Sequence, residues 1–277
     1  MFKKTLLAAA LALPLSAFAI PSIYNGTTNF STIGLNGGGS TITLYDNAGG
    51  VADGVLGIGD GFTETGLIAG VKFLDAANNP IVGSGLSEPG GYELWAVFSP
   101  MTGYVSNATV LSVGTGFLTT YAVNFVNPSI VTIYRDSTLG GGFNSGTSTI
   151  VGLADSPSSV SNCLTSRLAG VTGVADSNHG TCALDFRFDR LGPTVAGAWT
   201  NTSGIDYGLM SNGGMHVDLN IDVFTPWFSP TFDSTGVQRT DITHSGTAYF
   251  VPEPASLALM GLGLLSLGAI RRRKTSI

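Results

Sequence analysis

The chain has 277 residues, of which 43% are hydrophobic, 11% are charged and 39 are glycine. Disordered chains are poor in apolar residues and high in net charge, so this one is expected to fold; its glycines lack the three-residue period of collagen. The formal net charge of −6 argues against nucleic acid as a partner, since that binding runs through Lys and Arg on phosphates.

The charge is unevenly placed. Lys3, Lys4, Arg271, Arg272, Arg273 and Lys274 lie at the two ends, while residues 20–254 hold six basic and all 18 acidic residues, a formal charge of −12. At the start, Lys3 and Lys4 precede an apolar run from Thr5 to Leu13. Pro14 breaks that run, and Ala17-Phe18-Ala19 forms an A-x-A site with cleavage residues Ala17 and Ala19. This is the layout of a secretory signal peptide over 1–19, removed by signal peptidase to leave Ile20 as the mature N-terminus.

Residues 20–250 read as one β-rich ectodomain. Residues 20–60 are glycine-rich and irregular and are expected to form a loose N-terminal hairpin layer. Tyr92 to Phe98 and Ile130 to Tyr134 are apolar or β-branched runs and read as central strands. Cys182, Leu184, Phe186 and Phe188 alternate with polar or small residues. So do Met215, Val217, Leu219, Ile221 and Val223, with His216, Asp218, Asn220 and Asp222 on the opposite face. Strands with one wet face suggest antiparallel pairing. Turn clusters at Asn36–Gly39, Gly140–Gly146 and Ser211–Gly214 separate the strands. The expected fold is all-β, an antiparallel β-sandwich-like domain of about 10–14 strands.

The catalytic inventory is thin. The three histidines are His179, His216 and His244, and the chain has neither a G-x-S-x-G elbow nor H-E-x-x-H. The expectation is a protein that is not an enzyme and carries no cofactor. Asp218 and Asp222, on one strand face, read as a solvated surface rather than a glycosidase pair. His179 lies three residues before Cys182, but no second pair sits at zinc-ligand spacing, so no metal is expected there. The run from Asp46 through Asp53-Gly54 to Asp60-Gly61 offers oxygen ligands for calcium, yet lacks EF-hand spacing; turn chemistry accounts for it. Cys163 and Cys182 are the only cysteines, and both lie in the exported part. An oxidising compartment and an even count make a disulfide the expected state, free buried thiols being the alternative. Trp95 lies in the most apolar segment and reads as core. Trp199 and Trp227 are the other tryptophans that could stack on a sugar; Trp227, between Pro226 and Pro230, is the better candidate, yet core packing is the favoured reading for it too.

The end of the chain, 251–277, is organised differently. Pro252-Glu253-Pro254 is held extended, because proline donates no backbone hydrogen bond and disfavours helix at the residue before it. Ala255 to Ile270 is 16 residues without a charge. As a helix it spans ~24 Å, slightly short of a ~30 Å hydrocarbon core. Leu257, Leu259, Leu262, Leu264, Leu265, Leu267 and Ile270 surround it, leaving no polar face. Arg271, Arg272, Arg273 and Lys274 follow as a cytoplasmic basic tail under the positive-inside rule. The expectation is a precursor anchored in the inner membrane by one transmembrane helix.

A Pro-Glu-Pro motif, a short Gly/Leu helix and an arginine block at one end, with a signal peptide at the other, resemble the PEP-CTERM sorting signal of exosortase substrates. The resemblance implies that exosortase reads Pro252, Glu253 and Pro254 and that the helix and tail are removed. It further implies delivery to the cell surface or extracellular matrix of bacteria that make exopolysaccharide. Gly66–Val71, Tyr92–Pro100, the cysteine pair and Gly246–Pro254 are similar to flocculation-associated PEP-CTERM proteins. That likeness implies a role in exopolysaccharide-associated floc or biofilm formation and supplies no catalytic residues. A secreted carbohydrate-binding module and a secreted hydrolase are the alternatives.

Overall fold

The computed structural model describes residues 22–47, 52–126, 129–156, 161–187, 198–207, 214–221 and 231–251. The expected signal peptide, including Ala17 and Ala19, lies outside the described residues. So do Pro252, Glu253, Pro254, the apolar helix, the basic tail Arg271–Lys274 and Trp227.

The described residues form fifteen strands and no α-helix. The first five are β1 (Ser22–Tyr24), β2 (Thr28–Phe30), β3 (Thr32–Asn36), β4 (Ser40–Tyr45) and β5 (Gly61–Leu74). Next come β6 (Glu93–Val113), β7 (Gly116–Val126), β8 (Ser129–Asp136), β9 (Thr149–Ser156) and β10 (Asn162–Ala169). The last five are β11 (Ser177–Arg187), β12 (Trp199–Asn201), β13 (Gly214–Ile221), β14 (Val237–Ile242) and β15 (His244–Val251).

Every strand ladder is antiparallel, as the one-sided alternation requires. In β13, Met215, Val217 and Leu219 are buried while His216, Asp218 and Asn220 face out. In β11, Cys182, Leu184 and Phe186 face in.

The sandwich-like expectation gains one feature. The main sheet closes on itself in the ring β5–β6–β8–β9–β11–β13–β15–β3–β5. One link in that ring, β9 to β11, is the single pair Asp155 and Arg187. The ring gives each of its eight strands a neighbour on both sides, which leaves less open edge for edge-to-edge aggregation. Two long strands serve more than one neighbour on the same side. β6 pairs β8 through Glu93–Phe98 and β7 through Thr102–Val113. β11 likewise pairs β10 and, at its end, β9. As a result β6, β7, β10 and β11 continue past the ring as a four-stranded blade. β4 and β14 extend the sheet beyond β5.

The ring interior is apolar and tightly filled. Ile33, Ile68, Leu94, Phe98, Val131, Ile133, Leu184, Phe186, Val217 and Leu219 line it. They leave a cavity of about 60 Å³ with almost no polar wall. At one end, the small sheet β12–β1–β2 packs an aromatic cluster against the ring. Tyr24 and Phe30 lie 5.5 and 4.7 Å from Phe73, centroid to centroid, and Tyr207 stacks at 4.3 Å on Phe250. The Trp199 indole is fully buried and donates to the Val151 carbonyl at 2.8 Å.

Residues 20–60 are not the loose layer expected from their glycines. β3 sits between β15 and β5, and Tyr24, Phe30, Ile33, Ile42 and Leu44 are buried. Apart from Gly34 in β3, the glycines described in this region lie outside the strands, and the intervening apolar residues alternate well enough to join the core. Trp95 also differs from expectation. Leu94, Ala96 and Phe98 face the interior, so Trp95 points outward. It is half-buried beside Phe143, whose ring also lies 5.0 Å from Tyr134, and its Nε1 donates to Glu93 at 3.1 Å.

Candidate functional site

The polar residues with most shape around them lie on the outer face of β13, β15, β3 and β5. Strand register sets them in two rungs. One runs Asn220, Ser245, Asn36; the next runs Asp218, Thr247, Gly34, Lys72. Together they border a trough of about 520 Å³. Its floor is low because two glycines form it. A Cβ on Gly246 would lie 2.0 Å from the Asp218 carbonyl oxygen, which backbone cannot relieve. A Cβ on Gly34 would press on the Lys72 stem at 3.0 Å, so the lysine chain lies across that glycine. A register shift at Gly34/Leu35 adds a residue to β5 and turns both Val71 and Lys72 outward, widening the trough.

At the open end of the second rung, His216 lies between two carboxylates. Its Nδ1 is 2.6 Å from Asp185 and its Nε2 is 3.1 Å from Asp218. The hydrogen bond to Asp185 raises the His216 pKa, burial opposes it, and Asp218 adds to the rise. Both nitrogens therefore favour carrying protons, and the cluster acts as a fixed, partly neutralised acidic patch. The Tyr249 ring, directly opposite His216 across the strand pair, is 5.0 Å away. Amide, hydroxyl and carboxylate groups beside an aromatic ring suit a ligand that presents many hydroxyls.

The other sequence candidates are placed as follows. Cys163 and Cys182 are directly opposite across β10 and β11 and form a disulfide. The Cys182 sulfur is thereby removed from any His-x-x-Cys metal site. His179 lies on β11, with its side chain outside the described residues. Among the described residues no group of three His, Cys, Asp or Glu is placed to hold a metal. The Asp46–Asp60 region uses its carboxylates on its own backbone. Asp46 accepts from the Asp53 and Gly54 amides, and Asp60 from those of Asn47 and Gly57. Asp222 lies outside the described residues.

Sequence reading missed a buried pair. His244 Nε2 meets Glu64 Oε1 at 2.5 Å, with both side chains nearly inaccessible. They stand 180 positions apart, and His244 opens β15, a strand of ordinary polarity, so nothing local announces them. The trough was half visible, as the polar face of β13. Gly34 and Gly246 carry no signal until the register brings them to adjacent rungs of neighbouring strands.

No curated protein and no solved structure matches the chain. Residues 250–274 match the PEP-CTERM protein-sorting motif, covering Pro252, Glu253, Pro254, the apolar run Ala255 to Ile270 and the basic residues Arg271 to Lys274. That motif implies a membrane-anchored precursor that exosortase processes to give an exported, extracellular protein. On these C-terminal residues, carried on an all-β antiparallel ectodomain, the chain is a PEP-CTERM protein.

Proposed function

We propose that the processed ectodomain is a non-enzymatic surface or matrix protein that supports exopolysaccharide-associated floc or biofilm formation by holding polysaccharide in the β13–β15–β3–β5 trough. The observation that carries this reading is the trough, whose glycine floor and two polar rungs offer a sugar chain several hydroxyl partners at once. Two surroundings support the non-enzymatic part. His216 faces a carboxylate on each ring nitrogen rather than a serine or thiol, and His244 is buried against Glu64.

The test uses the exported, processed protein and polysaccharide from the same cells. Pull-down is expected to retain the wild type, and Asp218→Ala with Asn220→Ala to weaken retention about tenfold, as loss of one or two hydrogen bonds implies. Unchanged retention in the double variant contradicts a role for the trough. Deleting the gene is expected to reduce cell aggregation. The same trough favours a second reading, a carbohydrate-binding module; that reading requires saturable affinity for a single polysaccharide. A hydrolase remains the further alternative, tested by turnover on glycoside and ester substrates.

A further inference from the structure

The blade that β6, β7, β10 and β11 form beyond the ring carries an uncharged, leucine-bearing outer face across three of its strands, β6, β7 and β10. Leu111, Leu118 and Leu168 stand directly opposite one another across β6, β7 and β10. Leu164 and Ala122 form a rung toward the ring, and Val113 lies at the tip. Leu111, Leu164 and Val113 are 53%, 50% and 38% exposed. Between them lie Thr109, Thr120 and Ser166, so the rows of β6, β7 and β10 carry no charged side chain on this face. The sequence shows the same gap on a larger scale: residues 94–134 hold no Asp, Glu, Lys or Arg, in a region 20–254 of formal charge −12.

We propose that this leucine face is a self-association surface on which a second copy of the ectodomain packs, sheet against sheet. Charge decides the occupant. Two copies of so acidic a chain repel wherever acids face each other, and this is a surface on which they meet without that cost. A flat face of alternating leucine and threonine is complementary to itself, and paired sheets pack at about 10 Å without new backbone bonds. An exposed apolar patch on an exported protein needs a cover of this kind.

Geometry also sets the strength. Seven residues at ~3.3 Å by three strands at ~4.8 Å give a face of roughly 330 Å². Two such faces bury about 660 Å² together, below the ~1,200 Å² of stable interfaces. The contact is therefore transient in dilute solution and becomes effective when copies are crowded at a surface, where local concentration reaches the millimolar range. This inference does not rest on the trough, which lies on other strands, so the two fail independently.

Sedimentation equilibrium of the processed protein, from micromolar to millimolar concentration in 0.15 M and 1 M salt, provides the test. The expected result is an average mass rising toward the dimer with concentration, undiminished in high salt. Leu111→Lys with Leu164→Lys, both at exposed positions, is expected to weaken association at least tenfold while melting as the wild type does. Phe117→Lys, on the opposite face of the blade, is expected to leave it unchanged. As a positive probe, Thr120→Cys at the centre of the face is expected to give a disulfide-linked dimer under mild oxidation. A protein that stays monomeric throughout overturns the proposal. So does a double-lysine variant that associates like the wild type, or association lost equally in Phe117→Lys. Flotation of the monomer with phospholipid vesicles through the same leucines overturns it in favour of a lipid partner.

Discussion

Replacing Glu64 by Leu is expected to destabilise the fold by about 3–5 kcal/mol, the usual cost of removing one partner from a buried charged or hydrogen-bonded pair. The structure places this pair at the costly end. The side chains of His244 and Glu64 are 3% and 6% exposed, and the Phe98 ring lies edge-on to the imidazole at 6.4 Å. His244 Nδ1 already has no hydrogen-bond partner, so losing Glu64 leaves both ring nitrogens unmet in an apolar setting. His244→Leu should cost a similar amount by stranding the carboxylate. The double variant Glu64→Leu with His244→Leu removes both polar groups at once, and its stability is expected within about 1 kcal/mol of the wild type. Urea unfolding of the processed protein and its three variants gives the coupling energy directly. Each single variant should melt about 6–20 °C lower, at ~2–4 °C per kcal/mol for a domain of this size. If the single changes cost under ~1 kcal/mol, or the double loses the sum of both, the pair is not a coupled buried unit and the reasoning fails.

Cys163→Ala with Cys182→Ala opens a loop of about 20 residues and is expected to cost ~3 kcal/mol, measured by thermal unfolding; a loss below ~1 kcal/mol contradicts the chain-entropy account. Ala248→Val adds two methyl groups beside the 60 Å³ cavity and is expected to raise stability by about 1 kcal/mol. Destabilisation by that much shows instead that the strand cannot accept the larger side chain. His216 should titrate above the ordinary imidazole value in an NMR pH series, and Asp185→Asn should bring it back down. Because its folded pKa is raised, His216 contributes stability that is complete below its unfolded value of about 6.5 and is lost as pH rises through the folded one. Unfolding stability that rises across that window in the wild type relative to His216→Gln contradicts this sign.

Local periodicity made part of the architecture legible. Met215–Ile221 and Cys182–Phe186 alternate so regularly that strand, pairing sense and buried face all follow from them. Ring closure was not legible, because it depends on β5 meeting β6 and on one Asp155–Arg187 pair, contacts that no short window contains. Trp95 was misread for a different reason. Its strand is apolar on both faces because Phe143, from the loop beyond β8, covers the outer one. The same limit applies to the candidate site. Its β13 side was visible as a polar face, whereas its floor comes from two glycines brought together by register. The C-terminal signal was fully legible, since its parts are contiguous and each has its own physical role.

That signal decides where the protein goes, and one fractionation experiment tests it. Replacing Pro252-Glu253-Pro254 by three alanines lets helix extend upstream and removes the charge that a processing enzyme reads. The 16-residue apolar helix should then hold the precursor in the membrane, because exposing it to water costs tens of kcal/mol at ~25 cal/mol per Å². An antibody to the ectodomain is expected to find the triple-alanine protein unprocessed in the membrane fraction, with its ectodomain folded and the Cys163–Cys182 disulfide formed. Triple-alanine protein in the medium or matrix at wild-type size and amount contradicts the sorting role of Pro252, Glu253 and Pro254.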